Sequence, residues 1–157
     1  MNILFVCTGN ISRSFLAEML LKNELRKNRF SEIQVSSAGT SAFPGTPADS
    51  EMMNFLLDKD IPAENHISRI LTGDEITWAD IILVMEDFHY DFIMESWLEA
   101  DGKVQKLGKY VALDQTEDDI PDPYGQSTYH YRAAQSQITL AVSNLFKIIS
   151  SGATLNA

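Results

Sequence analysis

The chain has 157 residues, 45% apolar and 22% charged, enough for one compact domain and too apolar for wholesale disorder. Acidic residues outnumber basic ones 22 to 12, a formal charge of −10 that disfavours general binding to nucleic acid or to an anionic membrane surface. The one cysteine, Cys7, excludes an intrachain disulfide and a zinc site of several thiolates, and fits a reducing cytoplasm.

Met1-Asn2 offers no positive charge ahead of the apolar run that follows, so no secretory leader is expected. No apolar run approaches the ~20 residues of a membrane helix. Asn2 to Val6 is rich in branched and aromatic residues, the pattern of a strand buried on both faces. A glycine-containing turn leads into a helix expected from about Ser14 to Lys27, with Ala17, Leu20, Leu21 and Leu25 on one face. Ile33 to Ser37 reads as a second strand and Ser41 to Pro47 as a loop. Ala48 to Lys59 is amphipathic and reads as a helix, and Ala79 to Met85 is a buried strand. A mixed helical stretch covers Phe88 to Leu98, and Val104 to Leu107 offers a fourth strand. Asp114 to Gly125 is acidic, carries two prolines and reads as a loop. The last helix is expected from Ser127 to Ile149, with Tyr131, Ala134, Ile138, Val142, Leu145 and Ile149 at steps of three or four. We expect residues 1–150 to form a single domain, followed by a frayed tail over 151–157.

Strands alternating with helices imply right-handed crossovers and an α/β fold, a doubly wound parallel sheet with helices on both faces. Ligands in such sheets bind where loops leave the carboxyl ends of strands. The loop after the first strand holds Cys7, within Val6-Cys7-Thr8-Gly9-Asn10-Ile11-Ser12-Arg13-Ser14. Its amides can curl into a cup with the positive end of the following helix beneath. Gly9 gives backbone freedom, and Asn10 tolerates the left-handed region. Such a cup stabilises anions, a thiolate as much as a phosphate. Arg13 has a planar fork able to grip two phosphate oxygens, and Cys7 would be a nucleophile forming a thiophosphate. The bland alternative, a small buried cysteine ending a strand, leaves the Gly-Asn pair and the strand–cup–helix context unexplained.

Cys7 to Ser14 resembles the C-x-G-N-x-x-R-S signature of the low-molecular-weight protein tyrosine phosphatases. The resemblance extends through Ser36-Ser37-Ala38-Gly39-Thr40, Gly45-Thr46-Pro47-Ala48-Asp49, His66-Ile67-Ser68-Arg69, the segment from Ala79 to Met85, and Asp122-Pro123-Tyr124-Gly125, in the family's order. It implies a four-stranded parallel sheet and a phosphate-binding loop of Thr8, Gly9, Asn10, Ile11, Ser12 and Arg13. It also implies hydrolysis through a cysteinyl phosphate, with a phosphorylated protein as substrate and no metal or other cofactor. The residues leave the oligomeric state open, with a monomer the simplest expectation.

Cleavage of a phosphate monoester needs a proton for the leaving oxygen. Asp122 is the candidate, because Pro123 holds it extended on a loop, and the resemblance assigns that role to the aspartate of D-P-Y. Glu117, Asp118 and Asp119 read as a solvated acidic stretch. An aryl phosphate needs flat apolar walls, for which the resemblance supplies Tyr124 and the loop position suggests Phe43. It nominates Asn10, Ser14, Ser37 and His66 as the shell that fixes the loop, whereas His89 and His130 match nothing catalytic and read as surface or helix packing. Trp78 and Trp97 read as core or partner-facing aromatics.

Three departures from the family pattern stand out. Many relatives carry a second cysteine where this chain has Ser12, a proline where it has Phe15, and an aspartate where it has Glu86. Thr8, Gly125-Gln126-Ser127 and Leu107-Gly108-Lys109-Tyr110-Val111 look similar to the bacterial branch that includes protein arginine phosphatases. That branch places a threonine at the position of Ile11. Isoleucine there suits an aryl ring better than a guanidinium, which ranks phosphotyrosine ahead of phosphoarginine. Arsenate reduction would need further cysteines, which the chain lacks, and a non-catalytic anion-binding module would have no need of Cys7, Arg13 and Asp122 together. With Cys7 alone, oxidation has no internal disulfide to retreat to. Peroxide inactivation should therefore be poorly reversed by thiols unless a small thiol is present during oxidation. Full recovery after stoichiometric peroxide without such a thiol would contradict this.

Overall fold

The computed structural model describes residues 1–63, 65–112 and 118–155. Four strands, β1 (Asn2–Cys7), β2 (Gln34–Gly39), β3 (Ile81–Val84) and β4 (Val104–Lys106), form one parallel sheet in the order β2-β1-β3-β4. They alternate with α1 (Arg13–Lys27), α2 (Ser50–Asp58), α3 (Gly73–Trp78), α4 (Asp87–Ser96), α5 (Lys109–Ala112) and α6 (Thr128–Ser150). The α/β architecture and its four strands agree with the sequence reading. The second strand runs two residues further than expected, because Val6 and Cys7 pair with Ala38 and Gly39.

The strand period of two sorts the core into two layers. Ile3, Phe5 and Cys7, with Ile81 and Leu83, pack under α1, α2, α5 and α6. Leu4 and Val6, with Ile82 and Val84, face Ile76 of α3 and Ile93 of α4. Covering both faces explains why β1 and β3 read as unbroken apolar runs rather than alternating ones. It also aims Cys7 toward the α1 side, at the carboxyl edge of a central strand.

Two short helices escaped the sequence reading. α3 begins where the Glu75 carboxylate accepts the Thr72 backbone N–H at 2.8 Å, half of a capping box whose T-x-x-E pattern stands in the sequence. α5 has four residues, too few for any periodicity to register. Beyond α6, Leu155 is half-buried against the core, while residues 156–157 lie outside the described residues.

Asp49 joins three parts of the fold. Its carboxylate caps α2 by accepting the Glu51 N–H at 3.0 Å and accepts the Tyr131 hydroxyl of α6 at 2.7 Å, while its own N–H reaches the Ile11 carbonyl at 2.9 Å. Burial, with the Asp49 charge beside it, raises the Tyr131 phenol above its ordinary range. Asp49→Ala should destabilise the protein by about 1–3 kcal/mol in urea unfolding, since a cap is lost and a buried hydroxyl orphaned. An unchanged midpoint would refute this role.

Candidate active site

The first strand ends at Cys7, and residues 8–12 curl back before α1 begins at Arg13. Asn10 takes the left-handed conformation (φ +54°) expected of it, whereas Gly9 does not need it. The Asn10 side chain, fully buried, fixes the loop by a chain of hydrogen-bond directions. Its Oδ1 accepts the Arg69 backbone N–H at 2.9 Å, which settles the orientation of the amide. Its Nδ2 therefore donates to Ser14 Oγ (2.9 Å) and Ser37 Oγ (2.8 Å). Ser14 Oγ lies 3.0 Å from Cys7 Sγ, and its proton turns to the sulfur when that sulfur is a thiolate, which can only accept. Ser37 turns its proton to Glu18 at 2.5 Å, and Lys22 balances that carboxylate at 2.8 Å. The Asn10 N–H also points at Sγ, 3.3 Å away. Two donors thus converge on the buried sulfur, an arrangement suited to a sulfur that carries negative charge.

His66 donates from Nε2 to the Asn10 carbonyl at 2.6 Å, and its ring packs on Phe15, centroids 4.7 Å apart. Phe15 is wholly buried, so the residue that stands in for a helix-starting proline serves the core instead. The first turn of α1 carries no acidic side chain, which leaves its positive end uncompensated beneath the loop.

Arg13 is 1% exposed. Its Nη1 bonds to the Glu86 carboxylate and to the Ile120 carbonyl (2.8 Å), and its Nη2 lies 3.5 Å from Asp122 Oδ2. Its Nε, like the Ser12 hydroxyl, is buried with no hydrogen-bond partner among the described residues. Both residues line a cleft of about 260 Å3, together with Cys7, Thr8, Gly9, Ile11, Asp122, Phe43 and Tyr124. Two unpartnered polar groups in such a lining suit a ligand rich in acceptors.

The structure brings every sequence-nominated site residue to this cleft or to its supporting shell. Asp122 sits half-exposed at the mouth, its Oδ1 accepting the Tyr124 N–H at 3.2 Å across Pro123. Phe43 and Tyr124 are exposed rings on opposite loops. The Phe43 carbonyl accepts the Ser68 hydroxyl at 2.6 Å, which fastens that loop.

Other residues were not foreseen. Asp119, read as solvated, accepts the Asp87 N–H (2.9 Å) and Lys106 Nζ (3.0 Å). Burial works against the Lys106 charge, but hydrogen bonds to Asp87 and Asp119 outweigh it and raise the ammonium above its ordinary range. His89, read as packing, is fully buried and bonds to Thr8 in the cysteine loop at 2.8 Å. It stands at the third position of α4, where no S/T-x-x-E pattern flagged it. Glu117 lies outside the described residues.

The family model described as low molecular weight phosphotyrosine protein phosphatase matches residues 2–155. The chain belongs to that family. It is 37% identical over 143 residues to a protein-arginine-phosphatase of Geobacillus stearothermophilus, covering 91% of this chain and 92% of that one. It is 30% identical over 154 residues to the low molecular weight protein-tyrosine-phosphatase PtpA of Staphylococcus saprophyticus, covering 98% and 96%. The structure of Vibrio vulnificus Wzb in complex with benzylphosphonate superposes with a TM-score of 0.82 at 33% identity, over 93% of this chain and 97% of the other.

In this low-molecular-weight phosphatase the cysteine loop also depends on Gly39. A Cβ there would stand 2.5 Å from the Thr8 carbonyl oxygen and 3.0 Å from the Asn10 nitrogen. Gly39→Ala should displace the loop and lower phosphate-ester turnover at least ~10-fold, since misplacement of ~1 Å at a reacting centre costs that much or more. Far-UV circular dichroism should stay native. Unchanged turnover would show that the loop tolerates the added methyl.

Proposed function

We propose that the cleft hydrolyses phosphotyrosine in proteins through Cys7, Arg13 and Asp122. The observation that carries this is the sulfur itself, held by Ser14 and Asn10 in one cleft with a buried arginine and a half-exposed aspartate. A phosphate dianion enters the cup of loop amides and takes hydrogen bonds from Arg13 Nε and Nη2. Ser12 offers a further donor from its hydroxyl. The Cys7 thiolate attacks phosphorus while Asp122 gives its proton to the leaving oxygen, so the S–P bond forms as the P–O bond breaks. Asp122, now a base, takes a proton from a water whose oxygen attacks phosphorus, so the O–P bond forms as the S–P bond breaks, releasing phosphate and restoring the thiolate. The developing charge on the equatorial oxygens meets donors already fixed by Asn10, so little reorganisation is needed in the transition state.

Phe43, Tyr124 and Ile11 give the entrance apolar surfaces matched to an aryl ring. The benzylphosphonate complex of the Vibrio relative supports that reading. A second reading, phosphoarginine, is favoured by the 37% identity to an arginine phosphatase. The thiolate attack serves both; the bond that breaks is P–O in phosphotyrosine and P–N in phosphoarginine, so Asp122 would protonate a leaving oxygen in the first and a leaving guanidine nitrogen in the second. Among the described residues no helix is long and apolar enough to cross a membrane, and a single free thiol suits a cytoplasmic setting.

The test is single-turnover hydrolysis of a phosphotyrosine peptide and a phosphoarginine peptide, side by side with EDTA present. Wild type should release phosphate from phosphotyrosine, Cys7→Ser should release none, and Asp122→Asn should be slowed roughly 10²–10⁴-fold. Preference for phosphoarginine would keep the mechanism and overturn the substrate. Release from neither peptide would leave an anion-binding module.

A further inference from the structure

His89 occupies a position that neither the family signature nor the mechanism above uses. It is fully buried, three residues into the turn that opens α4, against the outer side of the cysteine loop. Its two ring nitrogens face different partners. Nδ1 lies 3.1 Å from the Glu86 backbone nitrogen, and a backbone N–H can only donate. Nδ1 must therefore be unprotonated. The ring proton then sits on Nε2, which lies 2.8 Å from Thr8 Oγ1 and donates to it.

The direction of that bond has a consequence for Thr8. A hydroxyl has one proton, and an oxygen that accepts from His89 is left to donate elsewhere. Among the described residues Thr8 Oγ1 has no other hydrogen-bond partner, and Thr8 lines the cleft beside Cys7 and Asp122. We infer that His89 is a positioning residue, whose Nε2–H fixes the Thr8 hydroxyl as a donor to an oxygen of the bound phosphate ester. This rests on the phosphatase reading above and adds a donor to it.

The charge state supports the same picture. Burial, with the Arg13 cation nearby, holds His89 down to about 3, and the opposing effect of Asp119 does not restore it. The ring is thus neutral wherever the enzyme is assayed near neutrality, and the donor–acceptor pattern does not switch. The Glu86 backbone contact does a second thing. Glu86 grips Arg13 through its carboxylate while its N–H holds His89, so the first turn of α4 orients both the phosphate-gripping arginine and the loop hydroxyl.

Asparagine and glutamine separate the two ring nitrogens. His89→Asn keeps an acceptor near Nδ1 but cannot reach Thr8, whereas His89→Gln keeps a donor near Nε2. With the substrate on which wild type is active, His89→Asn and Thr8→Val should each lower kcat/KM roughly tenfold, the loss of one hydrogen bond to a charged group. His89→Gln and Thr8→Ser should recover most of it. The double variant His89→Asn/Thr8→Val should be no worse than either single one, because both remove the same bond. Additive losses, or a His89→Asn enzyme with unchanged kcat/KM, would overturn the inference. Nitrogen-15 histidine spectra give a readout independent of turnover. Nε2 should stay protonated and Nδ1 bare from pH 5 to 8, and the Nε2 resonance should move in Thr8→Val. A titrating ring, or a proton on Nδ1, would sink the proposal. Wild type inactive on both peptides with that spectrum intact would instead sink the phosphatase reading on which the donor role rests.

Discussion

The side-chain amide of Asn10 is the constraint on which the cysteine loop depends. A buried primary amide has two donors and an acceptor to satisfy, and leaving one unpaired costs about 1–3 kcal/mol. Here Arg69, Ser14 and Ser37 satisfy them, and each partner comes from a different segment. Because the Arg69 N–H can only donate, the amide has one orientation and its two N–H groups face Ser14 and Ser37. The Ser37 proton ends on Glu18, and the Ser14 proton ends on Cys7 when the sulfur is a thiolate. The left-handed backbone at residue 10 is what places that amide inside the turn.

Arg13 poses the opposite problem, a permanent charge removed from water. A buried cation is tolerated only when it is paired and its donors are met. Glu86 from the end of β3 and the Ile120 carbonyl from the acid-bearing loop meet one end of the guanidinium, and Asp122 lies beside the other. The same contacts bring together elements far apart in sequence. Ile120 is held in turn by its N–H on the Met85 carbonyl at 2.8 Å, and Asp119 by Lys106 and the first turn of α4. Gly108 lets that loop pass, since a Cβ there would fall 1.8 Å from the Asp118 carbonyl oxygen. The position of Asp122 is therefore a property of the sheet edge, not of the loop alone.

The four strands, the longer helices and the nominated residues facing the cleft were legible because each has a local signature. Unbroken apolar runs gave the doubly covered strands, and C-x-G-N-x-x-R-S carries its own loop geometry. What escaped depends on partners distant in the chain. Glu86 is an ordinary acid until Arg13 folds against it, 73 residues away. His89 looks like a packing histidine until Thr8, 81 residues away, reaches it. Gly39 looks like a strand-ending glycine until the Thr8 carbonyl crosses it. Asp119 sat in an acidic stretch whose composition matched solvent exposure. No periodicity shows that Lys106, buried at the end of the edge strand, needs that carboxylate.

Net charge illustrates the same limit from the other side. A formal −10 describes the field far from the molecule, yet several of its carboxylates are structural. Glu18 orients Ser37, Asp49 caps α2 and holds Tyr131, Glu86 holds Arg13, and Asp119 holds Lys106. Each fixes the direction of a donor, and two of those donors, Arg13 and Ser37, belong to the cleft or the shell of the cysteine loop. The acidic composition therefore does not oppose anion binding at the site; part of it builds the site. On the proposed reading, attraction for a phosphate would begin only inside the cup, where amides, a helix end and Arg13 act at contact distance. At longer range a net charge of −10 opposes a phosphorylated partner. Recognition would then rest on short-range fit, on the rings and hydroxyls that line the cleft, and little on electrostatic steering.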